Sequence, residues 1–158
     1  MSFSTAKKFC ALTLLLMSNT SFALQDQHIA IPMETSRAHT YYVEGKFSDL
    51  LKTHFLVDTG SGYTTINHET LKKLQANNQA TYVRDLIGIL ANGKKMRVPI
   101  YRISSLILGD DCELQNIEAA VFPGKTRQIL GLNTLRKAGS FVFTFEPTTL
   151  VLSQCGKA

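Results

Sequence analysis

The sequence predicts an all-β fold, a small closed β-barrel or sandwich carrying one or two short helices. Three observations lead there. Apolar residues alternate with polar ones in many short runs. Clusters of Gly, Asn, Asp and Pro separate those runs at regular intervals, and only two brief stretches switch to helical spacing. The chain of 158 residues supports one domain. With 44% hydrophobic and 18% charged residues, its composition excludes wholesale disorder. No apolar run approaches the roughly 20 residues that a transmembrane helix needs.

The first 23 residues read as a secretory signal peptide. Lys7 and Lys8 precede an apolar core over residues 9–17, and Ser21-Phe22-Ala23 places small residues where a signal peptidase reads. A cut after Ala23 is expected, although the same segment could be retained as an anchor or fold as a buried amphipathic helix. Cys10 follows Lys-Lys-Phe, unlike a lipid-acylation box. Export would place the protein in a periplasm or outside the cell, with no stable membrane span in the mature chain. Of the 17 Lys and Arg residues two leave with the peptide, so 15 remain against 12 acids, a mild +3. No basic cluster exceeds a pair, which argues against a nucleic-acid partner.

Residues 24–38 read as a polar leader with at most a short edge strand at Ile29-Ala30-Ile31, and the domain proper is expected over 39–158. Residues 41–47 and 53–57 alternate as strands around a polar turn at 48–52. Asp58-Thr59-Gly60-Ser61-Gly62 supplies turn chemistry, and the β-branched stretch 63–66 resumes a strand. Asn67 suits a helix N-cap, with Leu71 and Leu74 at helical spacing over 68–75. Runs 82–90 and 95–103 flank Ala91-Asn92-Gly93, the strongest short hairpin signal because Asn and Gly both tolerate positive φ. Runs 106–108 and 117–122 form a further pair turning at Gly109-Asp110-Asp111. Ile129-Leu130-Gly131-Leu132 reads as the start of a second helix running to Arg136. Residues 141–145 and 149–152 close the chain as a hairpin around Pro147.

The mature chain keeps two cysteines, Cys112 and Cys155. An oxidising compartment makes a bridge between them feasible, but spacing cannot decide it, since bonding depends on Cα positions. His28, His39, His54 and His68 show no ligand spacing for zinc, and no metal is expected.

The informative stretch is Phe55-Leu56-Val57-Asp58-Thr59-Gly60-Ser61-Gly62. An apolar strand delivers one carboxylate into a tight turn flanked by hydroxyls. Apolar neighbours hold it away from bulk water, while hydroxyl and backbone N–H donors stabilise its ionised form. Gly60 leaves room beside it for a substrate or a water. Taken alone, Asp-Thr-Gly is a weak motif whose bland reading is a solvated turn between strands.

Context raises it. Leu56-Val57-Asp58-Thr59-Gly60-Ser61 resembles the catalytic loop of the retropepsin-like aspartic proteases, in particular their single-domain bacterial members. Ala91-Asn92-Gly93 resembles the tip of the flap. Leu106-Ile107-Leu108-Gly109 with residues 115–121 resembles the next hairpin, and Ile129-Leu130-Gly131-Leu132 resembles the element that packs behind the catalytic loop. The resemblance spans about residues 40–153 and implies the closed barrel. The flap departs from relatives in having no tyrosine and no glycine-rich tip, and Gly62 replaces an acidic or bulkier residue.

The resemblance implies a pair of aspartates sharing a proton around a water. This chain supplies one, since Asp26, Asp49, Asp85, Asp110 and Asp111 lack the Thr-Gly context. A homodimer pairing two copies of Asp58 would complete the dyad. By resemblance, Asp58, Thr59, Gly60 and Ser61 form the catalytic set, Thr59 bonds across the two-fold axis, and Ser61 holds the outer carboxylate oxygen. Ala91, Asn92 and Gly93 would cover a peptide or protein substrate, while Ile129, Leu130 and Gly131 support the loop. Two other readings stand beside the endopeptidase. One is a catalytically inactive peptide-binding or scaffold protein of the same fold, and the other an unrelated barrel for an apolar ligand with Asp58 on its surface.

Overall fold

The computed structural model describes residues 28–155. The expected signal peptide and the start of the leader lie outside those residues. In chain order the elements are β1 (Ile29–Thr35), β2 (Tyr41–Phe47), β3 (Leu51–Val57), β4 (Thr64–Asn67) and α1 (His68–Ala76). There follow β5 (Ala80–Ile89), β6 (Lys95–Leu108), β7 (Cys112–Phe122), β8 (Gln128–Leu130), α2 (Leu132–Lys137), β9 (Phe141–Phe145) and β10 (Thr148–Leu152).

Strands β6, β7, β4, β8, β3 and β2 form a ring, closed where β2 pairs back on β6 through Gly45–Leu108 and Lys46–Ile107. The fold is therefore a closed barrel, not a sandwich. Strand β5 extends outward from β6, and β1, β10 and β9 extend in that order from β2. Alternation fills the interior: Val43, Phe47, Phe55, Leu106, Leu108 and Leu150 are fully buried. The rings of Phe47 and Phe55 meet edge-to-face with centroids 5.4 Å apart. Each such burial contributes about 1.5–3 kcal/mol against the entropy of ordering the chain.

Helix α1 begins as its cap signal predicts, with Thr70 N donating to Asn67 Oδ1 at 2.9 Å. Other elements differ from expectation for identifiable reasons. Strand β1 is longer than the expected edge fragment and lies between β10 and β2. Pro32 is the last residue paired with β10, and Met33 is the first paired with β2. Strand β6 runs unbroken through Ser104-Ser105, because Ser105 satisfies its hydroxyl on Glu113 Oε1 at 2.7 Å. Ile129-Leu130 is a strand rather than a helix start. It pairs in parallel with Leu56-Val57, and α2 begins only at Leu132.

Cys112, at the start of β7, is bonded to Cys155, just beyond β10, with Cα atoms 4.8 Å apart. The bridge ties the C-terminal hairpin to the barrel wall. Replacing both cysteines with alanine should lower the unfolding free energy by about 2–4 kcal/mol, as expected for cross-linking a loop of this length. Urea unfolding of the exported protein measures this, and free thiols on the native protein would contradict the bridge.

Candidate active site

Strand β3 ends where its apolar run ends, and Asp58 emerges half-buried at its tip. The backbone fixes it from three directions. Asp58 N donates to Leu130 O at 3.2 Å, Ser61 N donates to Asp58 O at 3.2 Å, and Gly60 N donates to the carboxylate Oδ1 at 2.9 Å. Thr59 and Gly60 are exposed. Ser61 departs from the role the resemblance implies: its hydroxyl donates to Tyr63 O at 2.8 Å rather than to the carboxylate.

Behind the loop stands Ile129-Leu130-Gly131. Gly131 packs directly on backbone, since a Cβ there would lie 2.4 Å from Tyr63 C and O and 2.7 Å from Thr64 N. This close approach places the start of α2 against the loop. The first N–H groups of a helix have no partner within it. Here Leu132 N donates to Ser61 O at 2.9 Å and Asn133 N donates to Gly62 O at 3.2 Å.

Side chains complete the brace. Asn133 Oδ1 accepts from Thr64 N at 2.7 Å, and its Nδ2 donates to Glu118 O at 2.6 Å. The buried hydroxyls of Thr64 and Thr134 share a hydrogen bond of 2.6 Å, and Gly131 N donates to Thr64 Oγ1 at 3.2 Å. Sequence reasoning missed Asn133, Thr64 and Thr134. The one available signal was an amide at the first turn of a helix in an otherwise apolar run.

Facing the loop is the β5–β6 hairpin. Between them lies a groove of about 250 Å³, lined by Ser61, Gly62 and Tyr63 on one side and by Leu86, Val98 and Ile100 on the other. The hairpin turns at the expected Ala91-Asn92-Gly93, though only one of its residues needs positive φ. Gly93 alone takes positive φ (77°), Gly93 N donates to Leu90 O, and Leu90 N donates to Lys94 O. Asn92 instead accepts from Lys94 N at 3.0 Å. This is the longer hairpin loop in which one glycine absorbs the left-handed residue. Ala91, Asn92 and Gly93 are exposed, and the groove is lined by hairpin residues below them.

Arg84, also unpredicted, crosses from β5 to β7. Its Nη1 and Nη2 donate to Glu118 Oε1 and Oε2 at 3.0 and 2.7 Å, and Nη2 donates to Tyr63 Oη at 3.0 Å. The hydrogen bonds from Arg84 hold the Glu118 carboxyl below its usual range, against the opposing effect of burial. Among the described residues no group of three His, Cys, Asp or Glu side chains is placed to hold a metal ion.

The close approach at Gly131 makes a sharp prediction. Gly131→Ala should lower stability by about 3 kcal/mol, because its methyl meets backbone that cannot swing aside. Gly62→Ala, whose Cβ would meet nothing within 4 Å, should change stability by less than about 0.5 kcal/mol. Paired urea titrations measure both, and equal effects would contradict the packing described.

Comparison with known proteins agrees with this geometry. Residues 43–137, more than half of the chain, match a family model described as "gag-polyprotein putative aspartyl protease". The crystal structure of a retropepsin-like aspartic protease from Rickettsia conorii shares the fold with a TM-score of 0.56 and 23% identity, over 80% of this chain and 90% of that one. No curated protein sequence matches. With its Asp-Thr-Gly turn at the end of β3, supported by Ile129-Leu130-Gly131 within a closed barrel, the chain belongs to the retropepsin-like aspartic proteases of the gag-polyprotein type.

Proposed function

We propose that this protein is an exported aspartic endopeptidase that works as a homodimer. One observation carries the reading: a single Asp-Thr-Gly turn stands beside an apolar groove under a hairpin, with Thr59 and Gly60 exposed beside the carboxylate. One carboxylate cannot both take a proton from water and donate one to a carbonyl. The Asp58 of the partner subunit supplies the second, and exposed Thr59 is free to bond across the two-fold axis.

Two carboxyl groups about 3 Å apart cannot both ionise, so the pair holds one proton. The ionised Asp58 takes a proton from the bound water as its oxygen attacks the scissile carbonyl carbon. The protonated Asp58 donates to the carbonyl oxygen, giving a neutral tetrahedral diol. When the C–N bond breaks, the Asp58 that took the water proton gives it to the leaving amine, and the other takes a proton from a diol hydroxyl as the carboxylic acid product forms, so the pair again holds one proton. The nucleophile is water, so the reaction calls for no cofactor. The segment 1–23 would direct export, and the Cys112–Cys155 bond suits an oxidising compartment. N-terminal sequencing of exported protein should find Leu24 first, and an intact Met1 would favour a retained anchor.

Asp58→Asn should abolish peptide cleavage while the fold and dimer persist. When mutant and wild-type chains exchange freely, activity should fall as the square of the wild-type fraction, since only wild-type pairs keep both carboxylates. A linear fall would overturn the shared dyad. Peptide binding without any cleavage by wild-type protein would favour the inactive peptide-binding alternative.

A further inference from the structure

We infer that Arg84 is a positioning residue: its guanidinium locks the inner face of the β5–β6 hairpin against Glu118 and the chain leaving the Asp58 loop. The inference rests on the endopeptidase reading for its catalytic consequence, but not for the clamp itself.

The backbone register shows how Arg84 reaches that face. Tyr82 pairs with Tyr101, yet Arg84 pairs with Ile100, so Val83 is an extra residue bulged out of the ladder. Residues two apart normally share a face of a strand. The bulge breaks that rule, putting Tyr82 on one face, where its ring meets Tyr101 at 5.7 Å, and Arg84 on the opposite, groove face with Ile100. Ile100 in turn pairs with Ala120 on β7, two residues from Glu118. Arg84 therefore spans β6 and meets both Glu118 oxygens as a bidentate fork.

The partners are themselves anchored to the loop. The Glu118 carbonyl is held by Asn133, whose own N–H bonds Gly62 O, and the Tyr63 carbonyl accepts the Ser61 hydroxyl. One guanidinium thus connects the hairpin to both supports of the chain that follows Asp58. Beyond Arg84 the hairpin projects past the barrel toward its exposed tip, and Leu86, Val98 and Ile100 on this same face line the groove. Fixing the base of a projecting hairpin sets the height of its inner face over the groove. A displacement of about 1 Å in a positioning element costs up to about 100-fold in rate.

The test compares Arg84→Met and Arg84→Lys in the full exported chain with the wild type. Arg84→Met keeps the apolar stem and removes the fork, and Arg84→Lys keeps the charge with a single donor point. With a mixed-sequence library of quenched fluorogenic peptides, and then the best-cleaved member, Arg84→Met should lower kcat by about 10–100-fold while KM changes by less than about threefold. Arg84→Lys should recover part of the loss. Amide hydrogen exchange of residues 86–98 should accelerate in Arg84→Met while that of strand β2 stays unchanged. Wild-type cleavage with an unaltered kcat and hairpin exchange in Arg84→Met would overturn the clamp. If the wild type cleaves nothing, the endopeptidase reading fails, and the exchange data alone decide the clamp: accelerated hairpin exchange upholds it and unchanged exchange overturns it.

Discussion

The site depends on a contact that contains no side chain. Gly131 lies so close to the backbone of Tyr63 and Thr64 that only hydrogen fits between them. Because the two segments touch there, the free N–H groups at the start of α2 reach the Ser61 and Gly62 carbonyls, and Asn133 reaches Thr64 N. A turn that projects from the end of a strand ordinarily belongs to the mobile, low-stability part of a fold. This one is held on its inner side by a helix end and a buried threonine pair, leaving Thr59 and Gly60 exposed beside a half-buried Asp58. The rigidity of the Asp58 turn comes from hydrogen bonds that two distant segments complete for each other.

Barrel closure then places the second wall of the groove. Strand β6 is long enough to serve three neighbours, pairing with β5 along its first part, with β7 from Ile100 onward, and with β2 at its end. Its first residues leave the barrel with β5 as a two-stranded hairpin. Such a ribbon is weakly stable by itself, so whatever pins its base matters more than interactions elsewhere on the surface. Lys46–Asp49, Lys52–Glu44 and Lys73–Glu69 each join two solvated side chains through a single ammonium and contribute little. Arg84–Glu118 is bidentate, shares a donor with Tyr63, and its acid is only 27% exposed. Geometry, not the number of ion pairs, separates it from the others.

What the sequence made legible follows from how local each signal is. Asn67 was readable as a cap because a cap acts over three residues, and Phe141–Phe145 with Thr148–Leu152 because a hairpin joins neighbours. The Asp58 turn and the Ile129-Leu130-Gly131 element were readable as a recurrent pair, although three residues were too few to show that Ile129-Leu130 is strand rather than helix. The Cys112–Cys155 pair was readable as a feasible bridge, but its formation was not, since that depends on where β7 and β10 end relative to each other. Arg84 and Glu118 could not be read either. They meet only across β6, and only because one bulged residue reverses the alternation that a period-two reading assumes.

The choice of groups in that contact suits the proposed chemistry. A dyad that must keep one of two carboxyl groups protonated favours acid. A clamp built on a carboxylate fails there unless its acid titrates lower than usual. In Glu118 the hydrogen bonds from Arg84 depress the folded pKa; burial opposes them, and the positive charges of Arg84, Arg102 and Lys137 assist. A group whose folded pKa is depressed stabilises the folded state above its unfolded value, and that contribution is lost only as pH falls through the lower, folded one. The clamp therefore holds to lower pH than one built on a glutamate of ordinary pKa. An arginine is the partner able to do this, since its own charge does not titrate and its planar fork occupies both carboxylate oxygens at once.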